Sequence, residues 1–475
     1  MRGLLAITLL CAACASAGAP DPLRLDDATF DLEVAHRFQY GPPEPSPAEV
    51  ADPRAGQIAD AQYFESFPNY DRAYTPAARI EALRLAQRLR ADAGSLTHEQ
   101  FVLRVAEIAA LADNGHTAIG ENAFRKNTPR LPLRTYLFSD GLYVLWASPA
   151  NAELLGARID TIDGRSISSI YARIRRYQGG ADAHRRRELT PMLESPALLQ
   201  AAGVAREPNA LRLIGVLANN QPFERRIEAE QRDRSAWVSS TSRVLYPARS
   251  GGRMVSFLQE DSPLPVSLRD GSHLFGTVAL PQQGFYIKLE TNDDADEGPI
   301  GTFLDGALQH IRTEHPAFVV LDMRLNGGGD YTKTYAFAHA LPAAVGAAGH
   351  IYVLTSSWTF SAAITTVAAL KQAGGDRVTI VGEPVGDRLR FWAEGGSYVL
   401  PNAFIIVHYA TGRHVYDGPC ADTRTCFWLN YRYPVRVRSL APDVPVANSF
   451  AAYRQGQDSA LQAVLADARA RRQPR

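Results

Sequence analysis

Lysine is scarce in this 475-residue chain. Lys126, Lys288, Lys333 and Lys371 are the only four, and every other cation is arginine. Lysine-based chemistry is therefore confined to four positions. Charge of either sign in excess is missing too: 50 basic and 50 acidic side chains leave a formal net charge of zero. That balance gives no electrostatic footing for a nucleic-acid or membrane-surface partner. Cysteine is almost absent, with Cys11 and Cys14 near the start and Cys420 and Cys426 near the end. Beyond the N-terminus no apolar run is long enough to span a bilayer. What remains is ordinary for a globular protein, 46% apolar and 21% charged, in a chain long enough for two or three domains.

Met1–Ala17 carries Arg2, an apolar run Leu4–Ala13 and the small residues Ala15-Ser16-Ala17. This is the pattern of a secretory signal cut after Ala17. Cys14 offers a second reading as a lipidated anchor, although Cys11 stands where a lipobox wants an apolar residue. Either reading places the protein in the periplasm or cell envelope, an oxidising compartment. Cys420 and Cys426 are close enough in sequence to oxidise together there; two free thiols are the alternative, and a zinc site would lack ligands.

Pro42–Arg54 is proline-rich and reads as an extended lead-in. Thr75 then caps a helix with Pro76 at its first position and Ile80, Leu83, Ala86 and Leu89 along one face. Thr97-His98-Glu99-Gln100 is a capping box for a second helix, which ends at Asp113-Asn114-Gly115-His116-Thr117. His116 thus stands at a helix exit. A middle stretch follows with a strand at Gly141–Trp146 and an apolar alternation closed by Asp163-Gly164, resembling the strand and turn of PDZ-type modules. Arg185-Arg186-Arg187 reads as a solvated face. Arg232–Asp270 is polar and without period, a link to the last unit.

Two loops of the last unit test for ligands. The acidic loop Asn292–Glu297 fails the calcium-loop spacing and reads as solvated. Gly327-Gly328-Gly329 follows the buried strand Ala317–Arg324 but lacks a Lys-Ser/Thr pair, so it is no phosphate cradle. It suits instead a strand end where backbone N–H groups approach a reacting carbonyl, with a plain loop as the alternative. No cofactor or metal is implied.

The stretch His350–Gly386 organises the rest. His350–Leu354 reads as a strand, and Ser356, Ser357 and Thr359 are candidate helix caps. Phe360, Ile364, Val367 and Leu370 recur at helical spacing up to Gly374-Gly375, and Val378–Val381 is a further strand. Ser361 falls near the first helical turn, where unpaired N–H groups and the helix dipole favour an anionic intermediate; a small residue packed where helix meets strand is the alternative. Alternating strands and helices predict an α/β domain with a mostly parallel sheet.

Leu321–Gly329, Thr359-Phe360-Ser361-Ala362-Ala363 and Val381-Gly382-Glu383-Pro384 together resemble the tail-specific (C-terminal processing) protease family, which shares its catalytic fold with the tricorn core. Asp113–Thr117 resembles the family's N-terminal D-G-H-T segment, and Ala441–Val446 its closing segment. The resemblance implies a Clp protease/crotonase-like catalytic domain at 270–470, behind an N-terminal helical domain at 28–126 and a PDZ-like middle domain at 127–232. It implies Ser361 as nucleophile, with an oxyanion hole from the N–H groups of Ala362 and of Gly327 or Gly328. The family's lysine base is missing, because the segment after Val-Gly-Glu reads Pro384-Val385-Gly386-Asp387-Arg388. Lys371 lies ten residues along the helix from Ser361, pointing away. The tricorn-like branch uses histidine, and His116 matches that position, with an ordinary imidazole pKa near 6.5. Glu383, Asp387 and Asp417 are candidates to orient it. The first reading is an exported serine peptidase acting on peptide or protein substrates. The alternative is a non-catalytic envelope protein that keeps the fold to bind a peptide or an apolar ligand.

Overall fold

The computed structural model describes residues 21–120, 122–125, 128–230, 243–247, 253–259 and 261–472. The signal segment and Cys14 lie outside them.

Four helices of 12 residues or more open the chain: α1 (Asp27–Phe38), α2 (Pro53–Phe64), α3 (Pro76–Asp92) and α4 (His98–Ala110). Thr75 caps α3 by accepting from Ala78 N, and Thr97 and Gln100 form the reciprocal box on α4. The buried stripe of α3 runs through Ala82, Ala86 and Leu89, whereas Ile80 is 71% exposed, a correction to the apolar face read from spacing. Strand β1 (Ala118–Ile119) follows the His116 turn.

Next comes a seven-stranded antiparallel sheet. It comprises β2 (Leu133–Phe138), β3 (Gly141–Ala147), β4 (Arg158–Ile162), β5 (Arg165–Ser166), β6 (Ala210–Val216), β7 (Pro222–Glu228) and β8 (Val255–Ser256). Asp163 and Gly164 both take positive φ between β4 and β5, as a tight hairpin requires. Helix α5 (Asp182–Leu189) is inserted between β5 and β6. The segment read as a polar link is partly structural: β8 pairs with β3, and Val244, Leu245, Leu258 and Leu268 are buried.

The last sheet has the order β18-β13-β12-β11-β10-β9. Strands β9 (Phe275–Leu280), β10 (Gly284–Leu289), β11 (Phe318–Asp322), β12 (His350–Thr355) and β13 (Val378–Gly382) are followed much later by β18 (Val444–Pro445). All neighbours are parallel except β9 against β10. Alternate residues face opposite layers. Val319, Leu321, Ile351, Val353 and Ile380 pack under α6 (Ile300–Glu314), α7 (Thr332–Ala344) and α8 (Ala362–Gly374). Phe318, Val320, Tyr352, Leu354 and Val381 meet α9 (Ser459–Arg472) on the other side. Burial on both faces explains the unbroken apolar strands.

After β13 the chain leaves this sheet. Strand β14 (Arg390–Ala393) pairs with β17 (Gly412–Val415), and the hairpin between them, β15 (Gly396–Leu400) and β16 (Ile405–Tyr409), returns to the N-terminal helices. Tyr398, Leu400, Ile405 and Val407 share one core with Tyr63, Phe64 and Phe67. Strand β16 pairs with β1, Ala118 opposite His408. The His116 turn is thereby fixed to the last third of the chain. Cys420 and Cys426 form a disulfide, with Cα atoms 5.8 Å apart. No helix among the described residues is long and apolar enough to cross a membrane.

Candidate active site

The nucleophile segment differs from a simple capped helix. Helix α8 begins at Ala362, and Ser361 is its N-cap residue at φ 54, ψ −126, making no capping hydrogen bond with its side chain. A serine in this backbone region is strained, and such strain persists only where surroundings enforce it. Ser356 and Thr359 supply the enforcement rather than caps. Ser356 Oγ donates to the Arg324 carbonyl, at 2.5 Å, and accepts from Trp358 N at 3.0 Å. Thr359 Oγ1 donates to the Met323 carbonyl at 2.8 Å, and Phe360 N donates to the Asn326 carbonyl at 3.1 Å. The turn is thus stitched to the end of β11 and the glycine run. Phe360, expected on the helix face, lies outside the helix.

Gly328 presses against this turn. At φ +109, a Cβ on it would lie 2.7 Å from Ser361 Cβ and 3.1 Å from Ala362 N, so only glycine fits. Its own N–H is spent on Asn326 Oδ1 at 2.9 Å. Gly327 is exposed, with nothing within 4 Å of where its Cβ would be. Ala362 N, first in its helix, has no partner inside it.

The His116 turn is held from three sides. Asn114 Oδ1 and Nδ2 bond the Trp392 N–H and carbonyl, each at 3.0 Å. Thr117 Oγ1 donates to the buried Asp71 Oδ2 at 2.6 Å, which also accepts from Ala410 N. Asp113, at φ 48, pairs with Arg185 of α5 and with Arg388. His116 itself is half-buried, but both ring nitrogens are shielded and without a hydrogen-bond partner, so no bond joins it to Ser361. Burial holds its pKa down at about 3, with the Glu394 charge pulling the other way. This departs from the ordinary value near 6.5. Its ring stacks on Phe360, 4.4 Å between centroids, and on Phe391 at 5.5 Å. His184 of α5 stacks on Phe360 in turn at 4.6 Å, and His414 on Phe391 at 4.7 Å. A cavity of about 530 Å³ opens beside these rings, lined by His116, His184, Gly327, Trp358, Phe360 and Glu394.

Of the three carboxylates weighed as partners for His116, two are engaged elsewhere. Asp417 pairs with Arg390 at 2.7 Å, and Glu383 accepts from Asn448 N at 3.2 Å. Asp387 is buried, burial lifts its pKa to about 6, and its Oδ2 has no partner. That oxygen lies 3.0 Å from a Cβ built on Gly115, beside His116. The carboxylate whose charge acts most on His116 is Glu394, which motif reading missed; it bonds His414 Nε2 at 3.3 Å. Burial pushes Glu394 up, but the hydrogen bond and charge of His414, with a hydrogen bond from Gln39, outweigh it and hold the carboxyl below its usual range. Nothing in a lone glutamate at φ 61 announces this. Lys371 bonds the Val378 carbonyl and Asp443, clear of the site.

Two surface readings need correction. Arg187 is 8% exposed and Arg185 16%, because both reach across to other segments; only Arg186, at 51%, is solvated. Asn292, read as part of a solvated loop, is fully buried and donates to Thr334 and Thr366 at 2.8 Å. Among the described residues no group of three or more His, Cys, Asp or Glu is placed to hold a metal.

No family model matches the chain, and no curated protein matches it. Among solved structures, mature CPAF aligns over 88% of this chain and 97% of its own, at 12% identity and a TM-score of 0.54. CPAF complexed with lactacystin aligns over 88% and 98%, also at 12% identity, with a TM-score of 0.53. The photosystem II D1 C-terminal processing protease covers 86% of this chain and 99% of its own at 14% identity, with a TM-score of 0.33. The chain shares the fold of CPAF. At 12% identity that likeness shows the fold and leaves the chemistry to the residues.

Proposed function

We propose that this chain is an exported serine peptidase of the tail-specific protease family, with a Clp protease/crotonase-like catalytic domain and a PDZ-like middle domain. Ser361 Oγ attacks the scissile carbonyl carbon and passes its proton to His116; the imidazole protonates the leaving amine, and water then hydrolyses the acyl-enzyme. Ala362 N–H and Gly327 N–H stabilise the oxyanion, since Gly328 N–H is already committed to Asn326. Glu394 offsets the imidazolium charge. The observation that carries this reading is the strained backbone of Ser361 at a helix start with a glycine pressed against it. Export rests on the leader pattern of Met1–Ala17, with Cys14 as the lipid-anchor alternative.

The unbonded nitrogens of His116 favour a second reading, a binding protein whose cavity holds a peptide or apolar ligand without cleaving it. A fluorophosphonate probe separates the two. Covalent labelling mapped to Ser361 supports the peptidase; a protein that takes no label and cleaves no peptide is the binding protein.

A further inference from the structure

Arg187 is the one long side chain of α5 that enters the nucleophile turn. Its guanidinium donates to the Ser357 carbonyl and, through Nε and Nη2, to Glu188 Oε1 at 2.9 and 2.7 Å. Nη2 lies 2.8 Å from His184 Nδ1, which must then accept. The guanidinium plane also sits over the Trp358 ring at 4.3 Å and within 5.5 Å of the Phe360 ring. Four of its neighbours thus bear on the five residues Ser357–Ser361, either directly or through the His184 ring stacked on Phe360. At a distance its charge also acts on Asp387 and on Arg125.

We propose that Arg187 is a positioning residue for Ser361. It ties helix α5 to the strained turn and makes the reactivity of the serine depend on the seating of that helix. A carbonyl acceptor, a carboxylate, an imidazole nitrogen and an indole face are satisfied together by one planar, five-donor group, and an ammonium cannot replace it. This inference rests on the peptidase reading above.

The test uses the full mature chain, with fluorophosphonate labelling rate, peptide kcat and KM, and thermal transition measured in parallel. Arg187→Ala should lose about 10²-fold in kcat and labelling rate with KM within about twofold, the scale expected when a reacting group is misplaced by an ångström. Guanidinium chloride at tens of millimolar should restore at least about tenfold of that loss by refilling the site. Arg187→Lys, which keeps charge and fold, should lose nearly as much and gain nothing from guanidinium. Arg186→Ala, on the solvated side of the same helix, should match the parent. An Arg187→Lys protein as reactive as the parent overturns the inference, and so does a loss in Arg187→Ala expressed in KM, which would make Arg187 a substrate contact. If Arg187→Ala does not fold, the lysine variant decides alone. A parent protein that takes no label sinks the peptidase reading itself, whereas a labelled parent with indifferent variants sinks only this one.

Discussion

Phe360 stacks on His116 with 4.4 Å between ring centroids and immediately precedes Ser361. The same ring meets His184. His116 and the Ser361 turn are therefore in contact through an aromatic side chain rather than through a hydrogen bond, and the imidazole is unbonded and neutral. The proposed reaction requires a nitrogen of His116 to face Ser361, which this arrangement does not provide.

Burial holds the pKa of His116 at about 3, so the acid limb of kcat/KM should fall well below pH 6.5, and Phe360 covers one face of its ring. The sign follows from the depressed pKa: the neutral, proton-accepting form persists as pH falls until the folded value is reached. Phe360→Ala opens the ring to water and should move that limb upward. A limb that stays in place would mean that Phe360 has no part in holding the base. His116→Ala should cost roughly 10²–10⁴ in kcat, the usual yield of a general base.

Strain at Ser361 can be read by comparing two inert variants. Glycine adopts φ 54, ψ −126 freely and alanine does not, so Ser361→Gly should be more stable than Ser361→Ala by about 1 kcal/mol. Urea midpoints of the two proteins check this, and neither should label. Equal midpoints would count against a strained turn.

Asp387 predicts a pH-dependent stability. Its folded pKa, raised to about 6 by burial, exceeds the unfolded value near 3.9, so the native state holds the proton longer. Stability should fall as pH rises from about 4 to 6, by about 1–3 kcal/mol, and stay level above. Asp387→Asn, which cannot ionise, should remove that fall in thermal scans across the window. An unchanged pH profile in the variant would refute it.

The bridge between Cys420 and Cys426 closes a short loop, so the double alanine variant should lose about 2 kcal/mol or less and keep its activity. Denaturant titration against the parent measures the difference.

What the sequence made legible was local. Strands β11 to β13 show as unbroken apolar runs because both their faces are buried, helix α8 shows by its spacing, and the Thr97–Gln100 box is written in consecutive residues. Ser361 and His116 could be named from short motifs, but not the backbone strain at the first or the ring stack around the second. Arg185 and Arg187 looked solvated because the groups that bury them, Asp113 and Ser357, lie 72 and 170 residues away. Glu394 escaped for a related reason: its environment is assembled from α1's neighbour Gln39, from His414 and from the His116 turn, and no spacing in the chain reports that meeting. Ile80 failed in the opposite sense, an apolar residue at the right period on a face nothing covers.

The pairing of β1 with β16 also sets a clock. The turn bearing His116 is complete early in synthesis, yet the strand that seats it ends at Tyr409. Until that hairpin has emerged and docked, the nascent chain holds a serine and a histidine that have no means of meeting. The reaction proposed here is then silent by construction until the chain has been made past Tyr409.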